Sequence, residues 1–190
     1  LYAVKVPRRN GRPLGETQFV DSQAAYDDLP DDVKDRLEGA IGLHSGRHYT
    51  GIIRAAFGIE LAEGHKGRHH GPPHGHPIVM THPITGRKVL FCDTGHVERI
   101  EGMKGGDDDG EMLDFLNEHQ LQTKYLYTYT WTEGDLVMWD NIGSLHRAVI
   151  DFTADEPRLI KRCQTLSDKI FNPAYVKAAL EHDGSELAAH

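Results

Sequence analysis

The residues best suited to chemistry are concentrated between Gly134 and Arg162. Gly134-Asp135-Leu136-Val137-Met138-Trp139 reads as a strand behind a Glu133-Gly134 turn. Asp140-Asn141 then breaks the strand, and His146-Arg147 opens the next one. Trp139 and Asp140 read as residues that shape the strand end. An imidazole at the mouth of a strand in a small barrel faces a cavity able to hold one small ligand. Arg158 and Arg162 follow, and if 158–162 is extended, strand alternation points both to one face. Two guanidinium groups near an imidazole suit a carboxylated or dianionic ligand, because the arginine fork pairs both oxygens of a carboxylate.

A second concentration of imidazoles lies between Gly42 and Gly75, where His44, His48, His65, His69, His70 and His74 stand among Gly, Arg and Lys. A structural zinc site favours spaced Cys/His pairs and a closed set of four ligands, and no cysteine lies in this stretch. The stretch reads instead as a polar loop or lid, 42–76, whose Lys66, Arg68 and histidines can approach an anionic substrate; long ordered loops are often functional. The run Asp107-Asp108-Asp109 reads as a solvated helix N-terminus, where negative charge is favoured.

The elements that must position these groups are mostly short strands. Leu1 to Val6 alternates, Arg8 to Pro13 is a turn, and Glu16 to Val20 is a strand. Asp21 or Ser22 caps a helix through Tyr26. Pro30 reads as a first helical position, and Val33, Leu37 and Ile41 follow at fourfold spacing, which predicts a second helix over Asp31 to Ile41. A short helix is expected near Ile52 to Phe57. Further strands are predicted at Pro77 to Thr81, Lys88 to Cys92, Tyr125 to Thr132, Asp135 to Trp139, His146 to Phe152 and Leu159 to Leu166. A helix is predicted at Glu111 to His119. Short strands with inserted helices and no regular strand–helix alternation predict a mainly β fold, an antiparallel double-stranded β-helix (jelly roll, cupin-like). One domain is expected, with 1–41 and 77–167 as core and 168–190 as tail.

Composition narrows the partners. A net charge of -8 argues against nucleic acid, whose phosphates call for clustered Lys and Arg. No apolar run approaches the roughly 20 residues of a membrane helix, and Leu1 to Val6 lacks the features of a signal peptide. Two cysteines, Cys92 and Cys163, are too few for a disulfide framework, so a cytoplasmic setting is expected. A homo-oligomer stays open.

Four segments in order then make the chain resemble one family. "GDLVMWDN" followed by "LHR" resembles the second half of the taurine-dioxygenase and 2,4-dichlorophenoxyacetate-dioxygenase family. "HPIVMTHPITGRKVLF" is similar to its HP-V-THP-TG strand pair, and "GETQFVDSQAAYDDLPDDVKDRLEG" to its GGDT-W strand and following helix. The resemblance implies an Fe(II)- and 2-oxoglutarate-dependent dioxygenase, with O2 and a small anionic organic molecule as substrates. In that family two histidines and a carboxylate hold the iron on one face. His146 matches the distal histidine, Arg158 and Thr17 match the 2-oxoglutarate contacts, and Arg162 matches an arginine that grips the substrate's anionic end. His96 falls where the family places substrate-pocket residues. The family's His-x-Asp pair would lie before Leu1, and no His-x-Asp occurs in 1–190; the expectation is that the natural N-terminal part precedes this chain. Two other classes remain on the sequence: a non-catalytic jelly roll binding a small anion through Arg158 and Arg162, and a zinc hydrolase using the histidines of Gly64 to His76.

Overall fold

The computed structural model describes all residues except 47, 49, 52–71, 94, 107–108, 154 and 165–190. The described chain is mainly β. Strand β1, Tyr2–Lys5, begins it, and β2, Arg8–Arg9, with β3, Arg12–Pro13, forms a small hairpin. The expected turn at 8–13 is thus a hairpin around Asn10-Gly11, whose φ values of 53° and 81° are those of a primed two-residue turn.

Strand β4, Thr17–Asp21, leads straight into α1, Ser22–Asp27, whose N-cap Asp21 accepts the N–H groups of Gln23 and Ala24. That cap satisfies two of the free donors at a helix start. Helix α2, Asp31–Leu37, buries Val33 and Leu37.

The predicted extension of α2 to Ile41 is corrected. Gly39 turns the chain with φ 80°, and Ile41 starts strand β5, Ile41–His44. Left-handed glycine after a helix is a strong stop. The presumed loop 42–76 therefore begins inside a strand, and it also ends in one, β6, His74–Pro77. The helix expected near Ile52 to Phe57 lies outside the described residues, as do His65, His69 and His70.

Strands β7, Val79–Thr81, and β8, Lys88–Leu90, pair as a hairpin. Strand β9, Val97–Glu101, which the sequence pattern did not reveal, pairs β5 on the side opposite β6. Helix α3, Asp109–Gln120, matches the predicted helix. Strands β10, Leu126–Tyr129, β11, Ser144–Ala148, and β12, Leu159–Lys161, complete the set. The strand expected at Asp135 to Trp139 is an extended segment with a single bridge, Leu136 to Tyr2. Cys163, expected in an apolar strand, lies past β12 and is exposed, whereas Cys92 is buried.

The core has three parts. The largest packs Leu29, Val33 and Leu37 against Ile78, Leu90, Val97, Ile100, Met112 and Leu116, holding α2 and α3 against β8 and β9. A second holds Ala3, Val6 and Trp131 with Val137 and Ile160, and a third holds Val20, Ala25 and Tyr125 with Leu145. Strand β4 touches both: Val20 belongs to the third cluster, and Thr17 is hydrogen-bonded to Trp131 of the second. Among the described residues no helix is long and apolar enough to cross a membrane.

Candidate active site

The site is built on a three-stranded antiparallel sheet in the order β10-β4-β11. Its register sets His146 opposite Phe19 and Tyr127, and Ala148 opposite Thr17 and Tyr129. Directly opposed residues share a face, and so do residues two apart along a strand. His146 and Thr17 therefore project from the same face. His146 is exposed on the edge strand β11. Its ring lies 4.8 Å from Trp139 and 6.3 Å from Phe19. Partial burial pushes its pKa below the usual imidazole range, the Arg162 charge adds to this, and Asp93 partly offsets it. That shift favours the uncharged imidazole, the form that binds metals.

Thr17 is buried at the start of β4, and its Oγ1 accepts the indole N–H of buried Trp131 at 3.0 Å. Because an N–H already occupies one lone pair, the hydroxyl proton is free to donate elsewhere. Arg158, just before β12, reaches the segment that leads into β4. Its Nε–H donates to the carbonyl of Gly15 at 3.1 Å, and its guanidinium lies 5.8 Å from the Phe152 ring. Both terminal Nη groups remain for a carboxylate. Gly15 has φ 72°, and a Cβ there would stand 2.7 Å from both Cδ and Nε of Arg158. The absence of a side chain at position 15 is what lets the arginine lie down against β4.

Along β12 only Ile160 turns inward, onto the Trp131 cluster, while Leu159 and Lys161 face out. Arg162 follows, exposed, bonded to Gln164, and close enough for its charge to act on His146.

A second group of polar residues centres on Asp93, whose charge acts on His146. Asp93 pairs its Oδ2 with His96 Nδ1 at 2.6 Å and accepts the Gly95 N–H at 2.9 Å. Burial works to raise the Asp93 carboxyl, but the His96 bond and the charges of His96 and His44 hold it below the usual range. The His44 ring meets His76 edge-on at 5.1 Å and Phe91 at 5.3 Å. Burial, and then the neighbouring His76, push His44 down to about 4. Its Nε2 is sealed from solvent without a hydrogen-bond partner.

The sequence thus named His146, Thr17, Arg158, Arg162 and His96, and it missed Gly15, Trp131 and Asp93. Gly15 could have been found as the glycine just before a strand; Trp131 and Asp93 carry no local signal. An uncharged imidazole whose ring has no hydrogen bond among the described residues suits one position of a metal site. The described residues contain no group of three or more His, Cys, Asp or Glu arranged to hold an ion.

Comparison with known proteins assigns the class. The profile of the taurine catabolism dioxygenase TauD, TfdA family matches residues 1–164, and the chain belongs to that family. It is 39% identical over 153 residues to the alpha-ketoglutarate-dependent 2,4-dichlorophenoxyacetate dioxygenase of Burkholderia sp. strain RASC, covering 80% of this chain and 48% of that protein. Pentalenolactone F synthase of Streptomyces arenae is 33% identical over 184 residues, covering 94% of this chain and 60% of that protein. The crystal structure of AAD-2 in complex with Mn(II) and N-oxalylglycine superposes with a TM-score of 0.65 at 31% identity, over 82% of this chain and 56% of that one. The chain spans about half the length of the curated relatives it matches.

Proposed function

We propose that this chain carries part of the catalytic machinery of an Fe(II)- and 2-oxoglutarate-dependent dioxygenase acting on a small, anionic organic substrate. The observation that carries this reading is the shared face of β4 and β11. The uncharged His146 imidazole, the Thr17 hydroxyl and the Arg158 fork all belong to one sheet and its margin. In this reading the strands belong to a double-stranded β-helix, with 1–41 and 77–167 as the catalytic core and 168–190 as a tail.

Bound iron supplies O2 activation coupled to decarboxylation of 2-oxoglutarate. The protein's own groups bind and orient. His146 offers a neutral nitrogen to the metal. Arg158 holds the far carboxylate of 2-oxoglutarate through its two Nη groups, and Thr17 donates its hydroxyl proton to the same carboxylate. Such charge-assisted, bidentate pairs are strong and directional. Arg162 and His96 take the anionic end of the substrate. Support for an anionic substrate comes from relatives named alpha-ketoglutarate-dependent sulfate ester dioxygenase and (S)-phenoxypropionate/alpha-ketoglutarate-dioxygenase. The outcome is hydroxylation, which in suitable substrates leads to C–O or C–S cleavage, or, where a second hydrogen is removed in place of oxygen insertion, desaturation. The two free thiols fit a reducing, cytoplasmic setting.

The test is succinate release by the full-length protein with Fe(II), 2-oxoglutarate and a panel of sulfonates, sulfate esters, aryloxy acids and amino-acid derivatives. Substrate-dependent succinate that disappears in His146→Ala and Arg158→Ala supports the reading. No turnover across the panel together with no iron binding overturns it in favour of an anion-binding jelly roll.

A further inference from the structure

His82 plays no part in the chemistry above, yet it is only 5% exposed. It stands just after β7, in the corner Thr81-His82-Pro83. Its Nδ1 faces two backbone donors, the N–H groups of Ile84 at 3.3 Å and Thr85 at 3.1 Å. A nitrogen that accepts cannot carry the ring proton, so the proton sits on Nε2. Nε2–H in turn meets Asp140 Oδ2 at 2.6 Å, across 58 residues of sequence.

Asp140 is the hub of the turn that launches β11. Its Oδ1 accepts the Ile142 N–H at 2.8 Å, its Oδ2 accepts the Gly143 N–H at 3.0 Å, and its carbonyl accepts the Ser144 hydroxyl at 2.5 Å. Gly143 packs closely against this group: a Cβ there would lie 2.8 Å from Gln23 Nε2 and 3.0 Å from Asp140 Oδ2. Its carbonyl accepts the Ser22 N–H at the start of α1, at 3.1 Å. One residue before Asp140, the Trp139 indole donates to Asn141 Oδ1 at 2.7 Å and lies 4.8 Å from the His146 ring. Since the His146 ring has no hydrogen bond among the described residues, the Trp139 and Phe19 rings are what set its angle.

We infer that His82 is a positioning residue for His146: its bond to Asp140 fixes the 139–143 turn, and through the Trp139 ring it fixes the orientation of the imidazole offered to the metal. This rests on the reading of His146 as a metal ligand. Outer groups of this kind orient a ligand without touching the metal, and their loss typically weakens metal binding about 10–100-fold. The fixed tautomer makes the pair intolerant of a neutral mimic. An amide at position 140 must set an N–H₂ against either the His82 and Gly143 donors or the Ile142 donor.

The experiment measures Mn(II) dissociation constants by electron paramagnetic resonance on the full-length protein with 2-oxoglutarate present. Circular dichroism confirms that each variant is folded at the temperature used. His82→Ala and Asp140→Asn should each weaken Mn(II) binding about 10–100-fold, and together by little more than either alone. His82→Gln, whose amide N–H reaches the Nε2 position, should recover most of the affinity; a residue that merely fills space would not give that rescue. His146→Ala should remove the site whatever stands at 82. If His146→Ala abolishes binding while His82→Ala and Asp140→Asn both keep parental affinity, the positioning role is overturned and the ligand reading stands. If His146→Ala itself keeps parental affinity, both are overturned.

Discussion

Replacing Gly15 by alanine tests the 2-oxoglutarate pocket without removing any polar group. The backbone at 15 has φ 72°, a left-handed conformation that costs a residue with a Cβ about 1–2 kcal/mol. The new methyl would also stand 2.7 Å from Arg158 Cδ and Nε and 3.3 Å from Phe152 Cδ1. Cδ and Nε lie in the middle of the arginine, so the whole guanidinium must shift and its bond to the Gly15 carbonyl is lost. A charge-assisted hydrogen bond is worth about 1.5–3 kcal/mol, so misplacing the fork should weaken 2-oxoglutarate binding roughly 10–150-fold. The strain alone should lower Tm by about 2–8 °C, at roughly 2–4 °C per kcal/mol. The control is Gly11→Ala. Gly11 has φ 81° with nothing within 4 Å of an added methyl, so it carries similar strain but touches no site residue. Calorimetric titration of 2-oxoglutarate into the Mn(II)-loaded full-length protein, beside thermal unfolding, separates the two effects. Parental 2-oxoglutarate affinity in Gly15→Ala, or an equal loss in Gly11→Ala, refutes the reasoning.

Other expectations follow from the same contacts. Trp131→Phe keeps most of the buried volume but leaves the Thr17 hydroxyl without its donor; urea unfolding should show a loss of about 1–3 kcal/mol, and 2-oxoglutarate should bind more weakly. His44, pushed down to about 4 by burial, is neutral in the folded chain where the unfolded chain is already protonated. Its depressed pKa means stability is complete above about 6.5 and is lost as pH falls toward 4. Partial exposure screens the effect to no more than about 2 kcal/mol. His44→Gln should flatten a Tm–pH profile across that window, and an unchanged slope would contradict the assignment. Arg158→Lys keeps the charge but not the fork, so it should raise the 2-oxoglutarate dissociation constant about tenfold or more, with little change in Tm.

Local residue order was enough to mark the candidate residues and most of the elements that carry them. The Trp139-Asp140-Asn141 break with His146 after it, the alternating strand at Thr17, the Asp21 cap and the apolar face of 109–120 are all short-range patterns. They persist in the folded chain because the packing agrees with them. Where local order misled, the cause is physical. Ile41 continues the helical spacing of Val33 and Leu37, yet Gly39 in the left-handed region releases it into β5. Asp135 to Trp139 alternates as a strand should but finds only the Tyr2 bridge, because pairing depends on a partner and not on propensity.

Only the tertiary structure brought together residues far apart in the chain: Arg158 with Gly15, Trp131 with Thr17, and His82 with Asp140. Side-chain type is written in the sequence, but the direction in which a side chain points is set by strand register. Register is decided by which strands meet, and that is a property of the whole fold.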